Sequence, residues 1–110
     1  MAATRRVRDR AAFAAFRTGR RGHAGPVRVS WVPEEGAAPP RVAFAVGRRV
    51  GSAVVRNRVR RQLRAVIDGL AGELAPGTYL VAYRGAPGAA FATLREDVQQ
   101  AAGAAGALRR

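Results

Sequence analysis

Residues 45–64 read Ala-Val-Gly-Arg-Arg-Val-Gly-Ser-Ala-Val-Val-Arg-Asn-Arg-Val-Arg-Arg-Gln-Leu-Arg. At about 100° per residue, Val55, Val59, Leu63, Val66 and Leu70 fall on one stripe, with Ile67 at its edge. That stripe predicts a long amphipathic helix running to about Gly69, with Ser52 placed as its N-cap. Off the stripe, Arg56, Arg60 and Arg64 form an i, i+4, i+8 row on the far side. Asn57 and Arg61 form a second row, and Arg58 stands on the opposite flank. Like charges at i, i+4 destabilise a helix by about 0.2–0.5 kcal/mol per pair, and no acid lies between Arg48 and Ala65. A solvated helix face interleaves both signs, so this one reads as a surface for an anion. Guanidinium forks match phosphate oxygens bidentately and stay charged at any relevant pH. The Asn57 amide is either a reader of a sugar hydroxyl or base edge, or an ordinary cap or surface amide.

The rest of the chain fits that reading. The 110 residues carry a net charge of +13. Residues 1–30 contribute +7 and residues 48–64 another +7, while 31–47 sum to −1 and 65–110 to zero. Two single-sign blocks repel themselves unless a polyanion sits on them, which points to nucleic acid ahead of an acidic membrane surface. One domain over 1–110 is expected, with residues 1–8 and 103–110 frayed or disordered. Its core must be small, because 25 of the apolar residues are Ala. No cysteine is present, so no disulfide framework or thiolate metal site is expected, and a reducing, cytoplasmic location suits the composition. No apolar run approaches a membrane span, and no hydrophobic stretch follows the basic N-terminus.

Outside the arginine helix, a short first helix is expected over Asp9 to Arg17, with Asp9 as cap and Gly19 as terminator. Alternation predicts strands at Val27 to Val32, Val42 to Val46 and Thr78 to Arg84. Trp31 faces the core, on the side opposite Arg28 and Ser30. A last helix begins near Phe91 or Thr93, where Thr93 and Glu96 have capping-box spacing, and frays at Gly103 and Gly106. The Ala/Gly tail reads as compositional bias.

Chemistry is conspicuously missing. A protein nuclease needs a general base and acid or a metal cluster. Here the single His, His23, reads as a loop residue beside Arg20 and Arg21 with no partner nearby in sequence, either a surface residue or an RNA contact. Ser30 and Ser52 have no visible base, and Asp68, Glu73, Glu96 and Asp97 are scattered. The polypeptide is therefore not expected to cut bonds itself.

Residues 45–64, with Arg-Asn-Arg followed by a further basic pair and a single Arg, closely resemble the signature of the bacterial ribonuclease P protein component. The order of elements along the chain is similar as well. The resemblance implies an α+β fold, a two-layer α/β sandwich. Its four-stranded sheet follows the order α-β-β-β-α-β-α, with a left-handed βαβ crossover containing the signature helix. It implies that Arg48, Arg49, Arg56, Asn57, Arg58, Arg60, Arg61 and Arg64 contact the catalytic RNA. It implies that the 5′ leader of precursor tRNA lies in a cleft lined by Phe13, Phe16, Arg17, Arg28 and Ser30. The family spaces its two first-helix apolar positions by four, whereas Phe13 and Phe16 are three apart, so either Phe13 or Ala12 takes the second place. In such a holoenzyme the RNA holds Mg²⁺ and hydrolyses the phosphodiester, and the protein binds no cofactor alone. Ribonuclease P RNA and precursor tRNA are the partners implied, with no membrane and no DNA. A ribosomal or other structural RNA-binding protein is the alternative. A DNA reader would need a second helix packed just before the basic one, where a strand and a Gly-bracketed loop stand instead.

Overall fold

The computed structural model describes residues 5–6, 10–36, 39–86 and 91–109. Its elements run β1 (Arg5–Arg6), α1 (Arg10–Ala15), β2 (Arg20–Ala24), β3 (Val27–Pro33), β4 (Arg41–Val46), α2 (Ala53–Leu70), β5 (Gly77–Tyr83) and α3 (Phe91–Ala104). The expected α-β-β-β-α-β-α order is present, and the two-residue β1 adds an edge to the four-stranded sheet. Strand order is β1-β4-β5-β3-β2. β4 and β5 are neighbouring parallel strands joined through α2, and β5, β3 and β2 follow antiparallel.

Register explains the two faces. Val42, Tyr79 and Trp31 are level with one another, as are Phe44, Val81 and Val29, and then Val46, Tyr83 and Val27. These rows meet the buried stripe of α2 (Val59, Leu63, Val66, Ile67, Leu70) and Leu94 and Val98 of α3 in one core. Trp31 is core, as alternation predicts. It is 6% exposed, stacks on Tyr79 at 6.2 Å, and donates from Nε1 to the Pro76 carbonyl at 3.2 Å. On the opposite, open face, Ala43, Leu80, Ser30 and Arg21 form one row and Ala45, Ala82, Arg28 and His23 the next. The open face therefore grades from alanine on β4 to cations at the β2 edge.

Several expectations need correction. His23 is not in a loop: residues 20–24 form β2, paired with β3 through a two-residue turn at Gly25-Pro26. Gly25 takes φ +53°, and Gly ahead of Pro at the central positions suits a type II′ hairpin. The first helix is shorter than expected and Phe16 lies in the turn after it, while the Asp9 cap lies outside the described residues. Thr93 sits inside α3, so the capping-box spacing is not used as a cap. Much of the Ala-rich tail is packing surface. Ala101, Ala102, Ala105 and Ala107 are all buried, because α3 lies so close to β2 that a Cβ on Gly22 would collide with the Ala101 carbonyl.

The C-terminal segment is also held. Gly106, at φ +80°, ends α3 with the paired bonds of a Schellman motif, Ala107 N–H to Ala102 O at 2.9 Å and Gly106 N–H to Gly103 O at 3.0 Å. Leu108 then bridges to Leu74, and Arg109 bonds the carbonyls of Glu73 and Leu74. Residues 105–109 close the end of the core where fraying was expected.

Candidate nucleic-acid interface

The arginine surface is built on the most regular element of the fold. Ser52 caps α2 as its spacing predicts, its Oγ accepting from the Val55 N–H at 3.4 Å. The buried stripe then fixes the rotation of the helix. Asn57, Arg58, Arg61 and Arg64 are exposed, and Arg56 and Arg60 are half-buried. The Arg56-Arg60-Arg64 row lies on the flank beside β4 and not on the far side. The Arg64 guanidinium sits 5.7 Å from the Phe44 ring centroid, a cation–π contact that aims it along the sheet edge. Arg60 donates from Nη1 to Asn57 Oδ1 at 2.8 Å, so the Asn57 carbonyl is engaged in orienting a neighbour. The Nε of Arg56 is buried with no hydrogen-bond partner.

Just before the helix, Arg48–Val50 forms a 3-10 turn closed by Val50 N–H to Gly47 O at 3.1 Å and anchored by buried Val50. Arg48 and Arg49 are thus presented outward from a pinned loop. Gly47, Arg48, Arg49 and Val50 line a hollow of about 650 Å³ together with Tyr83 and Arg84 from the end of β5. Arg84 lies in a charge-neutral region of the sequence, where nothing singles it out. Its place follows from topology, since the C-terminal ends of parallel β4 and β5 must lie side by side, which is where open α/β sheets bind ligands.

The expected leader-cleft residues divide. Arg17 is exposed, and Phe13 is 47% exposed with its ring edge-on to Phe16 at 6.0 Å. Phe16 and Ser30 are only 5% and 3% exposed, so neither offers surface to a ligand in this conformation. Ala12's side chain lies outside the described residues. Arg28 is half-buried on the open face, its Nε enclosed and without a partner. A buried donor left unpaired costs about 1–3 kcal/mol, a cost that an anion at the guanidinium would offset.

Glu34 accepts from the Thr78 hydroxyl and pairs with Arg41 at 3.2 Å, tying the β3–β4 connection to the sheet. Among the described residues no three His, Cys, Asp or Glu side chains come together as a metal site. No helix among them is long and apolar enough to cross a membrane.

A family model for Ribonuclease P matches residues 1–106. The chain is 43% identical over 95 residues to the ribonuclease P protein component of Beutenbergia cavernae, covering 86% of this chain and 79% of that protein. It is 41% identical over 113 aligned residues to that of Thermobifida fusca, covering 96% and 76%. The solved RNase P protein of Staphylococcus aureus shares the fold at a TM-score of 0.81, over 94% of this chain and 97% of that one, at 17% identity. With the family model spanning nearly all of it and such relatives beside it, the chain belongs to the ribonuclease P protein family.

Proposed function

We propose that this chain is an RNA-binding subunit whose arginine helix and 3-10 turn grip the catalytic RNA while its open sheet face takes the 5′ leader of precursor tRNA. Family membership gives it a role in maturing tRNA 5′ ends, within a holoenzyme whose hydrolysis is carried out by RNA. The observation that carries the RNA reading is the set Arg48, Arg49, Arg56, Arg58, Arg60, Arg61 and Arg64, with no acid among residues 48–64, held by a capped helix and a pinned turn beside a hollow that Arg84 also lines. Each phosphate paired by Arg releases counterions, so log affinity should fall against log salt by roughly 0.7–0.9 per contact.

On the open face, Phe13, Arg17 and Arg28 are the groups that would meet a single strand, one by stacking and two by charge. Phe16 and Ser30 support them from beneath. The leader then binds through phosphate as much as through base stacking. Mg²⁺ belongs in the RNA subunit in this reading, and the protein acts by raising substrate affinity and reducing the Mg²⁺ the RNA requires. No observation favours a structural RNA-binding role outside tRNA processing.

Reconstitution tests it. Purified protein, its cognate RNA subunit and precursor tRNA are combined at low Mg²⁺, where the expected result is protein-dependent cleavage at the mature 5′ end. Cleavage that is equally fast without the protein over the whole Mg²⁺ range would overturn the reading.

A further inference from the structure

His23, read from sequence as an unpartnered loop residue, is in register with Arg28 across the β2–β3 ladder. The two line a second, smaller hollow of about 130 Å³ with Gly25, Pro26, Val27 and Arg84. Arg84 therefore stands at both hollows, with its N–H bonded to the Pro26 carbonyl at 3.0 Å, which pins the end of β5 to the β2–β3 turn. Three residues with nitrogen-bearing side chains, His23 of β2, Arg28 of β3 and Arg84 just after β5, line it together. One of them, Arg28, has a buried Nε with no partner. Asp97 approaches from behind the turn, within 3.0 Å of where a Gly25 Cβ would lie, and does not line the hollow. The space is well below the roughly 300–1,000 Å³ of small-molecule sites and suits a single tetrahedral oxyanion.

We propose that His23, Arg28 and Arg84 form a seat for one backbone phosphate of single-stranded RNA at the cationic edge of the open face. Arg84 lies between the Arg48-Arg49 hollow and this seat, so the end of the sheet adjoins the two surfaces assigned above. Fork-shaped guanidiniums hold the phosphate oxygens, and the imidazole donates a further hydrogen bond from the β2 edge. The seat reads no base. Its contribution is to fix the register of the strand.

The inference rests on the reading of the open face as the leader-binding surface, and the test separates the two. Holoenzyme is titrated with precursor tRNA whose leader linkages are replaced one at a time by neutral methylphosphonate, with mature tRNA alongside. Neutralising one particular linkage should weaken binding about tenfold. In Arg28→Gln and Arg84→Gln proteins, affinity should start about tenfold lower and that linkage should no longer matter. His23→Gln should show the same loss in smaller measure, and Arg28→Lys should restore part of it. Thermal melts confirm that each variant is folded. If leader-bearing tRNA is preferred but every linkage stays as sensitive in the variants as in the unaltered protein, the seat is wrong and the leader reading stands. If mature and precursor tRNA bind the unaltered holoenzyme equally, the leader reading falls and the seat with it.

Discussion

Arg60 Nη1 donates to Asn57 Oδ1 at 2.8 Å, one turn apart on the exposed side of α2. The bond uses the carbonyl of the Asn57 amide to hold a guanidinium in place and leaves its NH₂ free to point outward. Asn57 is thereby a positioning residue for Arg60. Asn57→Ala should weaken binding to the catalytic RNA about three- to tenfold while leaving the thermal midpoint unchanged. The double variant with Arg60→Ala should bind no worse than Arg60→Ala alone, because the two side chains act as a unit. Filter binding on the four proteins of the cycle measures this, and additive losses would show that Asn57 acts independently.

Replacing Arg56, Arg60 and Arg64 together with Ala removes three cations from the flank of α2 and none from its apolar stripe. The protein should still fold, since what is lost is the Arg64 contact with Phe44, about 0.5–1 kcal/mol at an exposed site, the Arg60 bond to Asn57 and the partial packing of the half-buried Arg56 and Arg60 stems, none of which belongs to the buried stripe. RNA affinity should collapse, and the slope of log affinity against log salt should become shallower by about two to three, on the basis of 0.7–0.9 per phosphate contact. An unchanged slope would mean that these side chains do not touch phosphate.

Legibility from sequence followed local pattern. The α2 stripe, the Ser52 cap and the burial of Trp31 are each dictated by residues a few positions apart, and each is as expected. β2 was not visible, because Arg20-Arg21-Gly22-His23-Ala24 has no apolar alternation. Its core-side residues are Arg20, Gly22 and Ala24, and the buried one is Gly22, an identity imposed by the close approach of α3 from elsewhere in the chain. The alanines of the tail are silent for the same reason, since small residues at a tight helix–sheet contact look like composition. In the site, the rows on α2 follow from helical geometry. The role of Arg84 depends on β5 ending beside the 3-10 turn, which only the parallel β4–α2–β5 unit establishes.

The two first-helix aromatics should behave differently when truncated. Phe13→Ala removes a ring that is 47% exposed, so stability should change by no more than about 0.5 kcal/mol. If Phe13 stacks on a leader base, affinity for leader-bearing tRNA should drop by about 1–3 kcal/mol with mature tRNA unaffected. Phe16→Ala empties a buried position and should cost about 3 kcal/mol of stability. Urea titrations set beside tRNA binding separate the effects. Equal destabilisation by both changes would contradict the burial difference.

Alkaline pH should unfold the protein through its tyrosines. Burial pushes the Tyr79 phenol well above its ordinary 10.0, only partly opposed by the Arg109 guanidinium. Burial and the Asp97 carboxylate raise Tyr83. Above pH 10 the unfolded chain releases these protons while the folded one keeps them. Stability is therefore full below that pH and declines as pH rises past it. Tyr79→Phe should flatten the decline. At neutral pH it should cost about 1 kcal/mol, for the lost bond to the Ala75 carbonyl. Denaturant midpoints measured from pH 8 to 11 would show it, and identical profiles for the two proteins would assign the alkaline limb to other groups.

Gly22 makes the sharpest stability prediction. A Cβ there would strike the Ala101 carbonyl and lie 2.6 Å from the Ala105 backbone nitrogen and 2.8 Å from the Ala104 Cβ. The first two are backbone atoms of α3 and of the turn that ends it, which cannot swing aside as a long side chain could, so the C-terminal end of α3 would have to move off β2 and β3. That displacement exposes Ala101, Ala102 and Ala105 and loosens the neighbouring Leu94 and Val98, all now buried. Gly22→Ala should therefore cost more than the 1–3 kcal/mol typical of overpacking by about one methyl. Trimming Ala104 to Gly should not rescue it, because the backbone collisions remain. Circular dichroism melts of the single and double variants decide the matter. A melt within a few degrees of the unaltered protein would mean that α3 slides on the sheet without loss, and that the close contact at Gly22 does not fix its position.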